Sequence, residues 1–112
     1  RMFDVLIVVP CTGNTLAKLS HGITDTTAAM AVKSHLRSER PVVLALSTND
    51  ALAASAENIG RLLNRRHYYF VPFGQDDPES KPRSLVSELS LLPETMEAAL
   101  EGRQLQPILV SF

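Results

Sequence analysis

Two largely apolar runs constrain the fold of this chain more than any other feature of its sequence. The first spans residues 3–9 and ends at Pro10, and the second spans residues 41–46. Both are rich in β-branched residues without polar alternation, which is typical of strands covered on both faces of a parallel sheet. A shorter third run, residues 68–71, is closed by Pro72. Because turn formers and helical apolar spacing follow each run, the sequence predicts a parallel α/β sheet with right-handed crossovers.

Each predicted helix begins beside residues whose side chains can cap it, and these candidate caps are Thr12 or Asn14, Thr24 or Asp25, and the run Ser47–Asp50. The first helix is predicted over residues 16–20, with His21 and Gly22 ending it, and the second continues to about Ser38. The third is predicted over residues 51–65. The apolar residues of this third helix that share one face are Leu52, Ile59, Leu62 and Leu63.

The C-terminal third of the chain predicts a long loop and two more helices. Residues 74–83 are polar, contain two prolines, and predict a functional or partner-facing loop. Apolar spacing over residues 84–89 predicts a helix. Pro93 in a first turn and Gly102 beyond the end bound the last helix. The apolar tail, residues 105–112, predicts a short edge strand or a docking segment.

Composition restricts the classes of function. The 112 residues are 45% hydrophobic and 21% charged, which predicts one globular α/β domain over residues 1–112. The net charge of −1 and the lack of a basic run argue against nucleic-acid binding. A single cysteine excludes an intrachain disulfide framework and fits a reducing cytosol. No apolar run is long enough to predict a membrane span, and no grouping of residues predicts a metal site. Because the sequence starts at Arg1, almost directly at a predicted strand, we expect that further residues precede it.

Three polar loops are predicted to meet at one edge of the sheet. They are residues 10–15, 47–50 and 72–77, and each follows the carboxyl end of a predicted strand. Ligands of parallel α/β sheets bind beyond those ends. This coincidence predicts a binding site at that edge.

The first of these loops has the richest chemistry. Gly13 permits close approach of the backbone to a ligand, while Thr12, Asn14 and Thr15 supply hydrogen-bonding groups at the start of a helix. A well-capped strand-to-helix turn without a ligand explains the same residues. The glycine and lysine spacing of a P-loop or a dinucleotide fingerprint is absent.

Residues 10–15, Pro-Cys-Thr-Gly-Asn-Thr, with Leu16–Lys18 and Gly22–Asp25, resemble the proline-to-asparagine-threonine signature of the flavoprotein family. That family holds flavin-containing cysteine decarboxylases, flavin prenyltransferases and the B subunits of dipicolinate synthases. The segments that resemble the last branch are Ala31–Lys33, Arg40–Leu44, Ser47–Leu52, Tyr69–Pro78, Lys81–Val86, Pro93–Thr95 and Gln104–Pro107. The resemblance implies a three-layer flavodoxin-like, Rossmann-like α/β/α fold. It also implies that roughly 80 residues with a flavin-phosphate loop precede Arg1, which would give an ordinary domain size.

The resemblance implies that a flavin mononucleotide (FMN) contacts the first two loops. The implied cofactor-binding residues are Pro10, Thr12, Gly13, Asn14, Thr15, Ser47, Thr48 and Asn49. Where the decarboxylases have a proline-x-methionine-asparagine motif, only Asn49 matches, because Ser47 and Thr48 replace the proline and methionine. No second cysteine matches their substrate flap. These departures argue against decarboxylation.

The branch implies part of an oxidoreductase that helps convert a dihydrodipicolinate-type precursor to dipicolinate during sporulation, in the mother-cell cytoplasm. The implied partner is the A subunit of dipicolinate synthase, through which an NADP would enter if one takes part. Trimers, or multiples of trimers, are the implied assembly. Two alternatives stay open: another FMN-dependent activity of decarboxylase or prenyltransferase type, and a non-catalytic scaffold that stabilises the A subunit.

The remaining candidates are weaker. Lys81 and Arg83 can hold a dicarboxylate, since a guanidinium matches carboxylate geometry. Cys11 is expected to be a packed residue, and Asp25 a helix cap. His21 is expected at a helix C-terminus rather than as a base. No catalytic acid or base can be assigned from the sequence.

Overall fold

The computed structural model describes residues 5–112, in which five strands and four α-helices form one sheet and the layers that cover it. The strands are β1 (Leu6–Cys11), β2 (Val42–Thr48), β3 (Tyr68–Phe70), β4 (Phe73–Gly74) and β5 (Leu85–Ser87). The helices are α1 (Gly13–His21), α2 (Thr27–Arg37), α3 (Ala56–Leu63) and α4 (Leu92–Leu100), with a 3-10 turn over Leu89–Leu91 before α4. The part of the first predicted strand at residues 3 and 4 lies outside the described residues.

The sheet is mixed, with β2 at its centre. β1 and β3 both run parallel to β2, with Leu6 opposite Val42 and Val42 opposite Tyr68. The last two residues of β2 pair instead with β5, which is antiparallel and also pairs with β4. The predicted parallel core is therefore confirmed, and an antiparallel extension adds to it.

Helices cover both faces of β2, which gives three layers. Leu44 and Leu46 pack with Leu16 and Leu62 on the face that α1, α2 and α3 cover. On the opposite face, Val43 and Ala45 pack with residues that include Ala99 of α4. Alternate β2 side chains are thus buried on opposite faces, as the apolar run predicts. Burying one such side chain stabilises the fold by about 1.5–3 kcal/mol.

β1 is less covered than predicted. Within the described residues it pairs only with β2, and the side chains of Val9 and Pro10 are exposed. The strand also runs through Pro10 to Cys11, so the prediction that it ends at Pro10 is wrong. Pro has no N–H to donate, which makes it compatible with the outer side of an edge strand.

The helix ends confirm one predicted cap and correct another. Thr12 caps α1 by accepting a hydrogen bond from the Thr15 N–H, and Gly22 ends α1 with φ 72°. The predicted cap of α2, Thr24 or Asp25, is wrong, because Thr26 accepts from the Ala29 N–H. The Asp25 carboxylate instead accepts a hydrogen bond from Lys18 Nζ at 2.7 Å.

The third helix is shorter than predicted. Residues 50–55 form turns, in which the Ala53 and Ser55 N–H groups both donate to the Asp50 carbonyl, and α3 begins at Ala56. Ile59 and Leu62 are buried as predicted, whereas Leu52 and Leu63 are about half exposed. The predicted four-residue apolar face is therefore wrong for Leu52 and Leu63.

The predicted helix over residues 84–89 is also wrong, since the strand β5 occupies its centre. Its Ser87 hydroxyl accepts a hydrogen bond from the Leu46 N–H (2.8 Å) and donates to the Val71 carbonyl (2.9 Å). The hydroxyl thus provides hydrogen-bond partners for two backbone groups, the Leu46 N–H of β2 and the Val71 carbonyl just after β3. Unpaired buried backbone groups are costly, so this contact favours a strand here.

The last helix and the tail agree with the sequence. Pro93 lies in the first turn of α4, and Gly102 follows the helix end with φ 77°. The tail pairs with β4, because the Phe73 N–H donates to the Ile108 carbonyl at 2.9 Å and the Val110 N–H donates to the Phe73 carbonyl at 3.0 Å. The tail therefore lies at the edge of the sheet, where the predicted short edge strand is reduced to a single parallel bridge between Phe73 and Leu109.

Candidate functional site

The first two polar loops meet at the carboxyl edge of the sheet. A methyl group placed on Gly13 would lie 3.0 Å from Ser55 Oγ and 3.1 Å from both Thr48 Oγ1 and Asp50 Oδ1. The start of α1 therefore rests directly on the polar turn that follows β2. Gly13 is required here because any larger residue would crowd those three oxygens.

A carboxylate organises that turn. Asp50 Oδ1 accepts hydrogen bonds from the Thr48 hydroxyl at 2.6 Å and from the Ser55 hydroxyl at 2.8 Å. These two hydrogen bonds, from Thr48 and then Ser55, hold the pKa of the Asp50 carboxyl below its ordinary value. The charge lies beside the N-terminus of α1, where the helix dipole favours an anion.

Two exposed amide side chains flank this turn. Asn14 lies in the first turn of α1, and Asn49 lies between Thr48 and Asp50. The first N–H groups of a helix have no intrahelical acceptor, so the N–H groups of Gly13 and Asn14 are those that α1 offers to a ligand. The edge therefore presents amide donors and acceptors, the groups that recognise the polar edge of a ring.

The predicted residues Pro10 and Thr15 lie at a neighbouring cleft. It has a volume of about 250 Å³, runs along β1, and is bounded on its other side by Ala28 and Ala31 of α2. Its lining is mostly apolar. A flat apolar ring next to the amide groups of α1 matches this chemistry.

The polar stretch of residues 74–83 reaches the same edge at its C-terminal end, through Arg83. The Leu52 N–H donates to the Arg83 carbonyl at 3.0 Å, and β5 pairs with Ser47 and Thr48 two residues later. The Arg83 side chain is exposed. Lys81 is less available to a ligand, because its Nζ lies 3.6 Å from Asp76 Oδ2.

The hydrogen-bonded roles of Asp50 and Ser55 do not follow from the sequence analysis. The sequence predicts Asp50 only as part of a capping run, and α3 has no side-chain cap at Ser55. The signal that could have found them is the Thr-x-Asp spacing, because a threonine hydroxyl can reach a carboxylate two residues later. The Thr48 hydroxyl already donates to Asp50, so it contacts a ligand only as an acceptor.

The other candidate residues are not placed for catalysis. Cys11 is buried, and burial raises the pKa of its thiol to about 12, so it is not a thiolate nucleophile. His21 is exposed in the last turn of α1, as expected.

Over residues 5–112, no cluster of histidine, cysteine or acidic residues could hold a metal ion. Within the same residues, every helix is too short or too polar to cross a membrane.

A fold of this kind, with polar loops gathered at the carboxyl edge of its sheet, belongs to the α/β class of proteins whose ligands bind at that edge. The Flavoprotein family model matches residues 1–99, and the chain belongs to that family. It is a homologue of the B subunit of dipicolinate synthase. The B subunit of Bacillus subtilis (strain 168) is 50% identical over 107 residues, which are 96% of this chain and 54% of the relative.

Solved structures agree with this relationship. The crystal structure of the dipicolinate synthase B subunit from Bacillus halodurans C matches with a TM-score of 0.95 and 47% identity, over 97% of this chain and 56% of that one. The FMN-dependent cysteine decarboxylase SpaF matches with a TM-score of 0.59 and 29% identity, over 86% and 52%. These matches confirm the flavodoxin-like α/β fold that the resemblance implied. The chain spans about half the length of the relatives it matches.

Proposed function

We propose that this chain is part of an oxidoreductase that, together with the A subunit of dipicolinate synthase, converts a dihydropyridine dicarboxylate to the aromatic dicarboxylate dipicolinate. The observation that carries the proposal is the junction of the α1 N-terminus with the Thr48–Asp50 turn, in a homologue of the synthase's B subunit. The cofactor that we propose for this junction is FMN.

The residues at the junction fit one part of that cofactor. The N–H groups of Gly13 and Asn14 and the side-chain amides of Asn14 and Asn49 can pair with the polar edge of an isoalloxazine ring. The apolar cleft at Pro10 and Thr15 can shelter the ring's apolar part. No cluster of cations lies within the first two loops, so these residues would hold the ring and not the phosphate.

When bound, a flavin supplies a hydride acceptor, which is what aromatisation of a dihydropyridine requires. The chain's own contribution is to orient the ring and the substrate. Arg83, exposed beside Leu52, would pair with one substrate carboxylate through its two-pronged guanidinium. Lys81 would contribute a second positive charge once it leaves Asp76. Ser47 and Thr48, in the second loop, would line the pocket of the flavin.

The other parts of the proposal concern the assembly. We propose that the protein works in the cytoplasm of a sporulating cell's mother compartment, as a trimer or a multiple of trimers. An NADP would be bound by the A subunit rather than by this chain, because the described residues contain no dinucleotide fingerprint. Because FMN would then be held by this chain and NADP by the A subunit, the complete reaction would require both subunits.

The test measures flavin and activity separately. The purified protein is titrated with FMN and followed by flavin absorbance and fluorescence, and dipicolinate formation is then assayed after mixing with the A subunit. We expect Asn14→Ala and Asn49→Ala each to weaken FMN binding about tenfold, which corresponds to one lost hydrogen bond of about 1.4 kcal/mol. Asn64→Ala, at an exposed position just after the C-terminal end of α3, is the matched control.

Three results would redirect the proposal. Unchanged FMN binding in both variants would remove the site from this edge. Failure to bind FMN at all, together with higher activity of the A subunit on mixing, would make the chain a scaffold. Turnover of a cysteine-type or prenyl substrate by this protein alone would assign one of the other flavoprotein activities.

A further inference from the structure

A second cavity lies at the opposite edge of the sheet, where the strands begin. It has a volume of about 290 Å³ and is bordered by the C-terminal turn of α1, by the connection to α2, by one side of α2 along its length and by the segment that enters β3. Its apolar part includes Leu19, Ile23, Val32 and Leu36. The carboxyl-edge loops that hold the proposed flavin contribute none of the described residues that line it.

The charges around this cavity have one sign. Its charged lining residues are Lys18, Lys33, Arg65 and Arg66, and no aspartate or glutamate lines it among the described residues. The imidazole of His67, which always carries at least one N–H donor, also lines it. Since the whole chain has a net charge of −1, this concentration of cationic side chains is local. A mostly apolar cavity of nearly 300 Å³ that a few polar groups also line has the features of a small-molecule site.

Two of these cations already have partners. Lys18 Nζ pairs with the Asp25 carboxylate at 2.7 Å. Arg65 donates to the carbonyls of Leu19 (3.1 Å) and Ser20 (2.8 Å), in the last turn of α1. Those carbonyls carry the negative end of the helix dipole, and Arg65 offsets it. The negative helix end therefore does not repel an anion from this cavity.

Lys33, Arg66 and His67 supply the remaining charge and hydrogen-bond donors. Lys33 and Arg66 are exposed, and neither forms an ion pair with another residue of the described chain. His67 has a left-handed backbone with φ 74°, a conformation that costs a residue other than glycine about 1 kcal/mol or more. The Val42 N–H holds it there by donating to the His67 carbonyl at 2.8 Å. Strain of this kind, held in place beside a cavity, is common at binding sites.

We propose that this cavity binds a small organic carboxylate, with its apolar body on Leu19, Val32 and Leu36 and its carboxylate between Lys33, Arg66 and His67. A guanidinium or an ammonium that meets a carboxylate forms charge-assisted hydrogen bonds with it. The volume accommodates a ligand of about one six-membered ring with its substituents. The site is separate from the proposed flavin site and does not depend on it.

The test uses benzoate as the probe and benzamide as its neutral analogue of the same shape. Backbone amide shifts of the ¹⁵N-labelled protein are recorded while each compound is added. We expect saturable benzoate shifts at Gly22, Leu36 and His67, and binding of benzamide about tenfold weaker, because benzamide lacks the charge. Lys33→Gln and Arg66→Gln should each weaken benzoate binding about tenfold.

Arg61→Gln is the control, since it removes the same charge from an exposed position on α3 outside the cavity. We expect it to change benzoate affinity less than twofold. Because Lys33 and Arg66 are exposed, their substitution should leave the thermal unfolding midpoint unchanged, which confirms that the variants are folded. The Asn14→Ala variant should bind benzoate normally, so loss of the flavin site and loss of this site are distinguishable.

Several outcomes would overturn the proposal. Equal affinity for benzoate and benzamide would show that the cations play no part. Shifts confined to residues of the carboxyl edge, or an equal effect of Arg61→Gln, would place the anion elsewhere. A concentration-dependent dimer that shifts the same amides without any probe would assign the cavity to a second copy of the chain.

Discussion

Replacement of Gly13 by alanine tests the junction on which the proposed site depends. The new methyl group would lie 3.0–3.1 Å from the oxygens of three side chains, Thr48, Asp50 and Ser55. Distances this short are tighter than most contacts that a Cβ atom makes in proteins. Either the start of α1 or the turn after β2 must therefore move by several tenths of an ångström. The 2.6 Å hydrogen bond from Thr48 and the 2.8 Å bond from Ser55 to Asp50 would then be disturbed.

The expected free-energy change is a difference between two effects. Alanine stabilises a helix interior by up to about 1 kcal/mol relative to glycine, and the gain is smaller at a helix start. Overpacking costs about 1–3 kcal/mol. We therefore expect Gly13→Ala to destabilise the protein by about 1–2 kcal/mol. Gly60→Ala is the matched control, because Gly60 lies within α3 with nothing near its missing methyl group. It should stabilise the protein by about 0.5–1 kcal/mol.

The assay is urea unfolding of both variants and of the unmodified protein, followed by far-UV circular dichroism. The two substitutions should shift the urea midpoint in opposite directions. A Gly13→Ala variant as stable as Gly60→Ala would refute the close approach at the junction. A double-mutant cycle provides a second test, because Ser55→Ala should cost less in the Gly13→Ala background than alone.

Three further results are expected. Asp50→Asn should reduce the loss of stability that acid causes. Because the folded-state pKa of Asp50 is lowered, its contribution to stability is present above its ordinary pKa and is lost as pH falls through the folded-state value. Urea midpoints followed from neutral into acidic pH would measure this difference. An unchanged loss of stability in acid would contradict this role. Leu62→Ala should lower the free energy of unfolding by about 2–5 kcal/mol and Leu63→Ala by under about 1 kcal/mol, because Leu62 is fully buried and Leu63 is not. Equal losses of stability in thermal unfolding would be inconsistent with the packing of α3. Cys11, with a pKa raised to about 12, should react with a thiol reagent at mildly alkaline pH only after denaturation, and immediate labelling of the folded protein would show the thiol to be accessible.

The sequence predicted the features that depend on local chemistry. An apolar run without polar alternation needs cover on both faces, and β2 has it. Thr12 and Gly22 bound α1 because their side-chain and backbone preferences act within one turn. The gathering of the first two loops also followed from topology, since the ends of parallel strands share an edge.

Only the tertiary structure decided the features that depend on distant partners. The apolar spacing at residues 84–89 fits a helix, yet Leu85–Ser87 is a strand because the Ser87 hydroxyl bridges Leu46 and Val71, up to 41 residues away. Likewise, Ser55 became part of the candidate site because it donates to Asp50 beneath Gly13. The cationic cavity is formed from separated segments, each of which has ordinary surface composition. Local propensity determines what a segment can form, and the need to satisfy buried polar groups across the fold determines what it does form.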